Sequence, residues 1–353
     1  MKKIRVLEIG CGKMSKYAMR YVYEKGWEIV GAVDQDEKII GKDIGDIIES
    51  EKKNIIIENV TNLGEIIDRV KPDIAIIMTK SLVNDLYNVL KTVVTHKVNA
   101  ITTCEEAFYA ENSNKLVFEE IDKLAKENNV TVTGCGYQDV FWGNLISVIA
   151  GSTHKITKIK GSSSYNVEDY GIALAKAHGA GLSIEEFDKE IGKPSQLDEQ
   201  TINEQIKNGT FNPSYMWNTV GWLADKFNLN IESINQKCVP ITCEKDIQSN
   251  TLKMTIKKGD ATGMSAVVVA TTKEGITLEA ECIGKVYSES DFDKNEWTIY
   301  GEPDTQVVVN KPNTVELTCS DIVNRIPDVI NCKPGFIPTS KMSEAKYILN
   351  TLN

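Results

Sequence analysis

Two features are scarce in this sequence: long apolar runs and positive charge. No stretch approaches about 18 uninterrupted apolar residues, the length that crosses a bilayer, so we expect no membrane span. Acidic residues outnumber basic ones, 50 to 40, for a formal net charge of −10, whereas nucleic-acid binding needs clustered Lys and Arg. The N-terminus lacks the apolar region of a signal peptide, because Gly10 and Gly12 interrupt it. We therefore expect neither a membrane nor a nucleic-acid partner.

Potential metal ligands are few and dispersed. The chain has three histidines, and none of its eight cysteines forms a CxxC pair. Zinc needs four converging ligands, and Cys238 and Cys243 have no histidine nearby in the sequence, so we expect no metal. Scattered cysteines in a chain of this size are typical of buried thiols in a reducing compartment, which predicts a cytoplasmic protein. The cysteines are Cys11, Cys104, Cys135, Cys238, Cys243, Cys282, Cys319 and Cys332.

The first ~135 residues alternate between short apolar runs and amphipathic stretches, a pattern typical of parallel βαβ units. Because crossovers between parallel strands are right-handed, a doubly wound Rossmann sheet is the simplest prediction. The predicted strands are Ile4–Ile9, Glu28–Val33, Ile55–Val60, Ile74–Met78, Asn99–Thr103 and Val130–Thr133. The predicted helices are Met14–Lys25, Asn62–Val70, Leu82–Thr95 and Lys115–Asn128.

After Phe141 the pattern changes to longer strands with glycine-marked turns, which predicts an α+β domain with a mostly antiparallel sheet. At about 100–200 residues per domain, 353 residues predict two domains. We place the first at 1–140 and the second at 141–314, and expect 315–353 to pack back on the first. The predicted strands are His154–Ser164, Met254–Ile256, Ser265–Thr271, Ile276–Ile283, Glu296–Tyr300 and Thr305–Val309; the helices are Ser183–Ile191, which starts with a capping box, and Tyr215–Lys226.

A glycine-rich turn follows the first predicted strand. Gly10 permits a tight turn, and Gly12 lets the backbone approach a diphosphate, which would rest on the amides of Lys13 and Met14 at the helix N-terminus. The third position is Ser15 instead of glycine, which is small enough for close helix–strand packing. The motif is common by chance, but its place between a strand and a helix favours a dinucleotide site.

Asp34 ends the second predicted strand, where an acid binds the adenosine ribose hydroxyls in dinucleotide-binding domains. A carboxylate there repels a 2′-phosphate, so we expect NAD to be preferred over NADP. The alternative is that Asp34 is a turn residue in a nucleotide-free α/β domain.

In an open α/β sheet, ligands bind outside the carboxyl ends of the strands. Glu105 and Glu106 follow the fifth strand. One of them can act as a general base or hold an ammonium group, while the other caps the following helix. The alternative is that both are solvated first-turn acids. Other strand ends supply candidate cofactor ligands, namely Thr79, Lys80, Thr103 and Gly136.

His178 is the histidine closest to a predicted substrate surface, although a lone histidine is more often simply packed. His96 is near a predicted helix C-terminus, where a cation is favourable, and we interpret it as structural.

Four segments together resemble a known family, the 2,4-diaminopentanoate dehydrogenases, with native amine dehydrogenases as close relatives and dihydrodipicolinate reductase as a distant one. They are Val6–Ser15, Thr102–Glu106, Gly179–Phe187 and Ile322–Ile330. The resemblance runs nearly end to end, and the last two segments are far more specific than the glycine turn.

The resemblance implies NAD(P)-dependent oxidative deamination of 2,4-diaminopentanoate at C4, a reaction of ornithine degradation, by a homodimer that pairs through the second domain. It also implies that the catalytic acid is one of the adjacent pair Glu105 and Glu106, of which we favour Glu105. The chain departs from the family pattern at three places: Gln138-Asp139-Val140 stands where the family has Asn-Pro-Gly, Ser164 stands for an arginine and Met264 for a histidine, while Asn166 is kept. Gln138, Asn166 and His178 are thus the candidate substrate ligands. Two alternatives stay open: another amine, amino acid or cyclic imine as the substrate, or a non-catalytic NAD(H) sensor.

Overall fold

The computed structural model describes residues 3–349. The chain divides into two compact units. The first contains the chain up to Asn144, the segment Ile206–Phe211 and the chain from Asn313 onward, and the second contains the rest. The strands are β1 Arg5–Ile9, β2 Glu28–Asp34, β3 Ile57–Asn59, β4 Ile74–Ile77, β5 Asn99–Thr102, β6 Thr131–Gly134, β7 Lys155–Asn166, β8 Ile231–Thr242, β9 Ile247–Ser249, β10 Met254–Ile256, β11 Ala261–Thr272, β12 Thr277–Lys285, β13 Lys294–Glu302, β14 Thr305–Asn310 and β15 Gly335–Phe336.

The α-helices are α1 Ser15–Glu24, α2 Ile44–Ile47, α3 Leu63–Val70, α4 Val83–Thr95, α5 Lys115–Asn128, α6 Leu145–Ala150, α7 Ile172–Ala177, α8 Ile184–Phe187, α9 Glu199–Asn208, α10 Tyr215–Lys226 and α11 Thr314–Ile330. Side chains cap several of them. Asn114 accepts the N–H of Val117 at the start of α5, and Asn313 accepts that of Glu316 at the start of α11. Such caps satisfy N–H groups that have no partner within the helix.

The first unit is built on a seven-stranded sheet in the order β15-β6-β5-β4-β1-β2-β3, with every pairing parallel. Both faces are covered, which confirms the predicted doubly wound class. Leu7 and Ile9 of β1 face a core with α3, α4 and α5, while Val6 faces a core with α1 and α11. This burial on both sides explains why the strands read as continuous apolar runs.

The second unit contains a six-stranded sheet in the order β14-β13-β7-β12-β11-β8. The β7–β12 pair is parallel and the other pairs are antiparallel, as in the predicted mostly antiparallel sheet. Helix α10 packs against β11 and β12 and buries Trp217 and Trp222 completely.

One prediction for the second unit needs correction, and one strand of its six-stranded sheet was not predicted. The predicted helix Ser183–Ile191 ends as an α-helix at Phe187 and continues as a π-turn over Asp188–Gly192, with Lys193 N–H bonded to Asp188 O. Strand β8 was not predicted, because it is an edge strand with few buried side chains and contains Pro240, which is tolerated at sheet edges. The capping box of Ser183 with Glu186 is confirmed.

No helix among residues 3–349 is long and apolar enough to cross a membrane. Within the same range no cluster of three or more His, Cys, Asp or Glu side chains is arranged to hold a metal, and all eight cysteines are free thiols.

Glu8 is an unusual side chain in the middle of β1. It is completely buried, and neither carboxyl oxygen has a hydrogen-bond partner among the described residues. It lies near the thiols of Cys11 and Cys319, on the face covered by α1 and α11. Burial raises the pKa of the Glu8 carboxyl well above its ordinary value of 4.5, so the native protein binds this proton more tightly than the unfolded chain does.

We expect Glu8→Leu to stabilise the protein at neutral pH by roughly 1–3 kcal/mol, because it removes an unpaired buried polar group. Because the Glu8 pKa is raised in the native protein, the free energy of unfolding falls as pH rises above 4.5, by up to about 1.4 kcal/mol per pH unit. The fall ends where the pH reaches the native pKa. Urea unfolding from about pH 5 to about pH 8 should show this fall in the free energy of unfolding for the wild type and for the surface control Glu65→Leu. For Glu8→Leu the free energy of unfolding should change less with pH. Equal slopes in all three proteins would contradict this account.

Candidate active site

The turn after β1 can be formed only by glycine at position 10. Gly10 has φ +96°, and a Cβ added to it would lie 2.5 Å from Cγ2 of Thr79 and 2.6 Å from the carbonyl oxygen of Met78. Its N–H bonds to Val33 O at 2.9 Å. Gly12 differs, since a Cβ there would meet nothing within 4 Å. The turn is therefore packed against β4 at Gly10 and open at Gly12.

The start of α1 leaves its backbone accessible. Lys13 is exposed and Met14 is half-buried, while Ser15 is 1% exposed and donates its hydroxyl to Gly12 O at 2.8 Å. The interpretation of Ser15 as a small, packed third position is confirmed. A helix N-terminus preceded by an open glycine is a suitable site for a diphosphate.

Asp34, at the end of β2, is fixed beside this turn by three backbone amides. Its Oδ2 accepts from Cys11 N at 2.6 Å, and its Oδ1 accepts from Gln35 N at 2.7 Å and Asp36 N at 2.8 Å. The structure thus brings together the glycine turn and the acid that the sequence predicted for the ribose. A carboxylate has about four acceptor positions, and three amides use three of them, so Asp34 can still accept one hydroxyl group.

The ends of β4 and β5 carry further predicted residues at the same edge of the sheet. Thr79 and Lys80 are exposed after β4, and Thr103 is half-buried after β5. Because all the strands are parallel, these ends lie on the same side as the glycine turn.

Glu106 is a structural carboxylate. It is 2% exposed, and its oxygens accept from Val83 N at 2.7 Å and Ser113 Oγ at 2.8 Å. Burial raises its pKa, and these two hydrogen bonds oppose the shift. The predicted helix cap is present, but the helix it caps is the preceding α4 and not the following one, because α4 begins at the neighbouring strand end.

Glu105 is half-buried, and the Ser81 hydroxyl hydrogen-bonds to its carboxylate. Burial raises the pKa of Glu105, and the Ser81 hydroxyl partly offsets this. The turn that carries Glu105 packs closely on β6: a Cβ on Gly134 would lie 2.3 Å from the backbone carbon of Ala107. Of the two adjacent acids, Glu105 has more capacity left to bind a ligand.

The loop after β6 contains two more predicted residues. Gly136 has φ +136° and donates its N–H to Asp321 Oδ2 at 3.1 Å. Gln138 is 7% exposed and donates its side-chain N–H to Cys135 O at 3.3 Å. The α11 residues that hold this loop were not predicted, although their spacing places them on one face of a helix.

Asn166 and His178 belong to the second unit. Asn166 Oδ1 accepts from Glu168 N at 3.2 Å, while His178 is 8% exposed with both ring nitrogens engaged. Because Leu174 O, 2.9 Å from Nδ1, can only accept, Nδ1 carries the proton and Nε2 accepts from the Tyr165 hydroxyl at 2.6 Å. Burial lowers the pKa of His178, which favours the neutral ring. Tyr165 was not predicted.

Comparisons with known proteins give a consistent result. Residues 141–353 match the 2,4-diaminopentanoate dehydrogenase C-terminal domain, and residues 4–132 match the N-terminal domain of dihydrodipicolinate reductase. The chain is 24% identical over 344 residues to 2,4-diaminopentanoate dehydrogenase of Acetoanaerobium sticklandii, covering 95% of this chain and 92% of that protein.

Solved structures agree. The amine dehydrogenase from Mycobacterium smegmatis is 32% identical, with a TM-score of 0.82 over 98% of this chain and 97% of that one. The WlbA dehydrogenase from Bordetella pertussis, solved with NADH and UDP-GlcNAcA, shares the fold at 14% identity, with a TM-score of 0.55 over 94% of this chain and 90% of that one.

The open glycine turn and the acids at the sheet edge fit this family's chemistry. The chain belongs to the 2,4-diaminopentanoate dehydrogenase family, and it is an NAD(P)-dependent oxidoreductase that acts on amines.

Proposed function

We propose that this enzyme oxidatively deaminates 2,4-diaminopentanoate at C4, forming 2-amino-4-oxopentanoate and ammonia. The observation that carries the proposal is Glu105: a carboxylate with remaining acceptor capacity, raised pKa and partial burial, at the sheet edge that also carries the glycine turn. A pure NAD(H) sensor needs no such acid at this edge.

Gly10, Gly12 and Asp34 would hold the dinucleotide, which would supply the acceptor for the hydride that the amine-bearing carbon loses. Glu105 as a carboxylate binds the substrate ammonium group and takes one proton from it, so that the neutral amine can lose hydride from its carbon and become an iminium; this proton then passes to solvent. The carboxylate next takes a proton from the water that attacks the iminium carbon and returns it to the nitrogen. The C–N bond then breaks, ammonia leaves, and the hydroxyl proton passes to Glu105 as the carbonyl forms. Ser81 orients the carboxylate, and partial burial brings the Glu105 pKa closer to working pH. The main contribution of the rest of the chain is to hold the reacting groups in position.

We propose NAD as the preferred cofactor, because the Asp34 carboxylate is fixed by three amides and would repel the 2′-phosphate of NADP. The other proposed ligands lie at or after the ends of strands, or, for His178, at the end of α7. The cofactor ligands are Gly10, Gly12, Lys13, Met14, Asp34, Thr79, Lys80, Thr103 and Gly136; the substrate ligands are Gln138, Asn166 and His178, with His178 acting through Tyr165.

A second candidate substrate class is another small amine or amino acid. It is favoured by Ser164 and Met264, where the resemblance leads to an expected arginine and histidine. We expect a panel of diamino acids, amino acids and simple amines, assayed for NADH and NADPH formation, to give the highest kcat/KM for 2,4-diaminopentanoate with NAD. Higher kcat/KM for a monoamine would favour the second candidate, and a preference for NADP would overturn the assignment of Asp34.

We also propose that the enzyme is a cytoplasmic homodimer, since its thiols are free and the outer face of the second unit's sheet suits a twofold contact. Tyr300 and Val308 are 38% and 39% exposed on that face, beside the ion pair of Lys158 with Glu279. Sedimentation should give twice the mass of the chain for the wild type and the single mass for Val308→Lys. A monomeric wild type at micromolar concentration would refute the dimer.

A further inference from the structure

One face of α11 contacts the loop after β6 through three side chains. Thr318 Oγ1 accepts from Tyr137 N at 3.2 Å, and Asp321 Oδ2 accepts from Gly136 N at 3.1 Å. Arg325 donates from Nε to Asp139 Oδ2 at 2.8 Å. The spacing of three and then four residues places all three on one side of the helix.

The loop depends on these contacts for its conformation. Within the loop, the backbone bond from Asp139 N to Gly136 O at 2.9 Å closes only one turn. Two consecutive N–H groups, those of Gly136 and Tyr137, are directed to α11 instead. The fit is close, because a Cβ on Gly136 would lie 3.0 Å from Cγ2 of Thr318.

The ionic part of this contact is costly to bury. Arg325 and Asp139 are fully buried and Asp321 is 4% exposed, and Nη2 of Arg325 has no partner among the described residues. Burial and then the charge of Asp139 raise the pKa of Asp321. Buried ion pairs seldom stabilise a fold more than apolar packing does, so this arrangement favours a role in fixing one conformation.

The loop adjoins the proposed catalytic acid. It follows β6, which pairs with β5, and Glu105 follows β5. Cys135 N bonds to Thr102 O at 3.0 Å, and Gly134 packs on the turn that carries Glu105. A displaced loop would therefore change the wall beside Glu105.

We propose that Thr318, Asp321 and Arg325 are positioning residues that hold the Gly136–Asp139 loop in its reactive arrangement next to Glu105. This rests on the function proposed above. The position of the catalytic groups then depends partly on α11. Its three residues come more than 180 residues after the loop in the sequence.

Thr318 offers the cleanest test. Thr318→Val keeps the shape but leaves Tyr137 N without this acceptor, whereas Thr318→Ser keeps the hydroxyl. We expect Thr318→Val to lower kcat for the amine at least about tenfold, since small displacements of reacting groups have large effects on rate. Thr318→Ser should stay within about twofold. In Thr318→Val the Kd for NADH should change less than kcat does, because the glycine turn and Asp34 are untouched and, of the proposed cofactor ligands, only Gly136 lies in the loop.

The matched control is Ile326→Val, which removes one buried methylene group of α11 and leaves unchanged the three side chains that bond to the loop. It should lower the Tm as much as Thr318→Val does, with kcat unchanged. Equal kcat values for Thr318→Val, Thr318→Ser and an active wild type would overturn the proposal.

Amide exchange separates this proposal from the proposed function. Tyr137 N–H should exchange faster in Thr318→Val than in Thr318→Ser, whichever amine is the substrate. If the wild type oxidises no amine, the proposed function fails, and unchanged Tyr137 exchange would then overturn the positioning role independently.

Discussion

Glu105→Gln is expected to lower kcat for amine oxidation roughly 100- to 10,000-fold, the usual effect of losing a general base. The Kd for NADH should stay within about twofold, because the glycine turn and Asp34 are unchanged. In the wild type, burial raises the Glu105 pKa, so kcat should fall as pH drops through that raised value and the carboxylate becomes protonated. Stopped-flow kinetics with NAD and 2,4-diaminopentanoate measures kcat at each pH, and a fluorescence titration measures the Kd for NADH.

Glu106→Gln is the matched control, since the two acids are adjacent. Glu106 is committed to Val83 and Ser113, so its amide variant should lose stability, through a weakened buried network, more than it loses kcat. The assignment would be wrong if Glu105→Gln kept full turnover, or if Glu106→Gln were the variant that lost it.

Gly10→Ala and Gly12→Ala should affect the protein in opposite ways. At Gly10 a methyl group collides with Thr79 and Met78 at φ +96°, so we expect a loss of stability of about 2–4 kcal/mol from strain and overpacking. At Gly12 the space is open, so the Tm should be unchanged. If the cofactor diphosphate occupies that space, the affinity for NADH should fall at least about tenfold, equivalent to 1.4 kcal/mol.

The contrast between these two variants is what tests the phosphate site. Thermal unfolding measures stability, and titration of NADH fluorescence measures affinity. Gly12→Ala with wild-type affinity would show that the diphosphate does not approach Gly12, and the proposed cofactor geometry would have to be abandoned.

The first unit was predictable because its strands are buried on both faces. Runs such as Ile74–Ile77 then contain only apolar residues, and the intervening helices have a clear period. In the second unit, β8 has polar side chains on both faces because it is an edge strand, so no alternation signals it. Helix α8 is stopped by a π-turn that no spacing rule predicts.

The candidate site was predictable where a residue's place is set by its own strand. Gly10 and Asp34 end neighbouring strands, and parallel pairing puts them together. Other contacts of the site were not predictable, because no strand end sets them: Ser113 bonds to Glu106, Thr318 holds the loop at Tyr137 from 181 residues away, and the Tyr165 hydroxyl of β7 bonds to His178, which follows α7. Such contacts are determined by the packing of whole elements.

The most direct test of the central claim is to quantify NADH and ammonia in one reaction of the wild-type enzyme with NAD and 2,4-diaminopentanoate. Oxidative deamination predicts that both products form in equal amounts and that both are lost together in Glu105→Gln. Binding of NADH without either product, from this diamine or from any amine tested, would contradict the account.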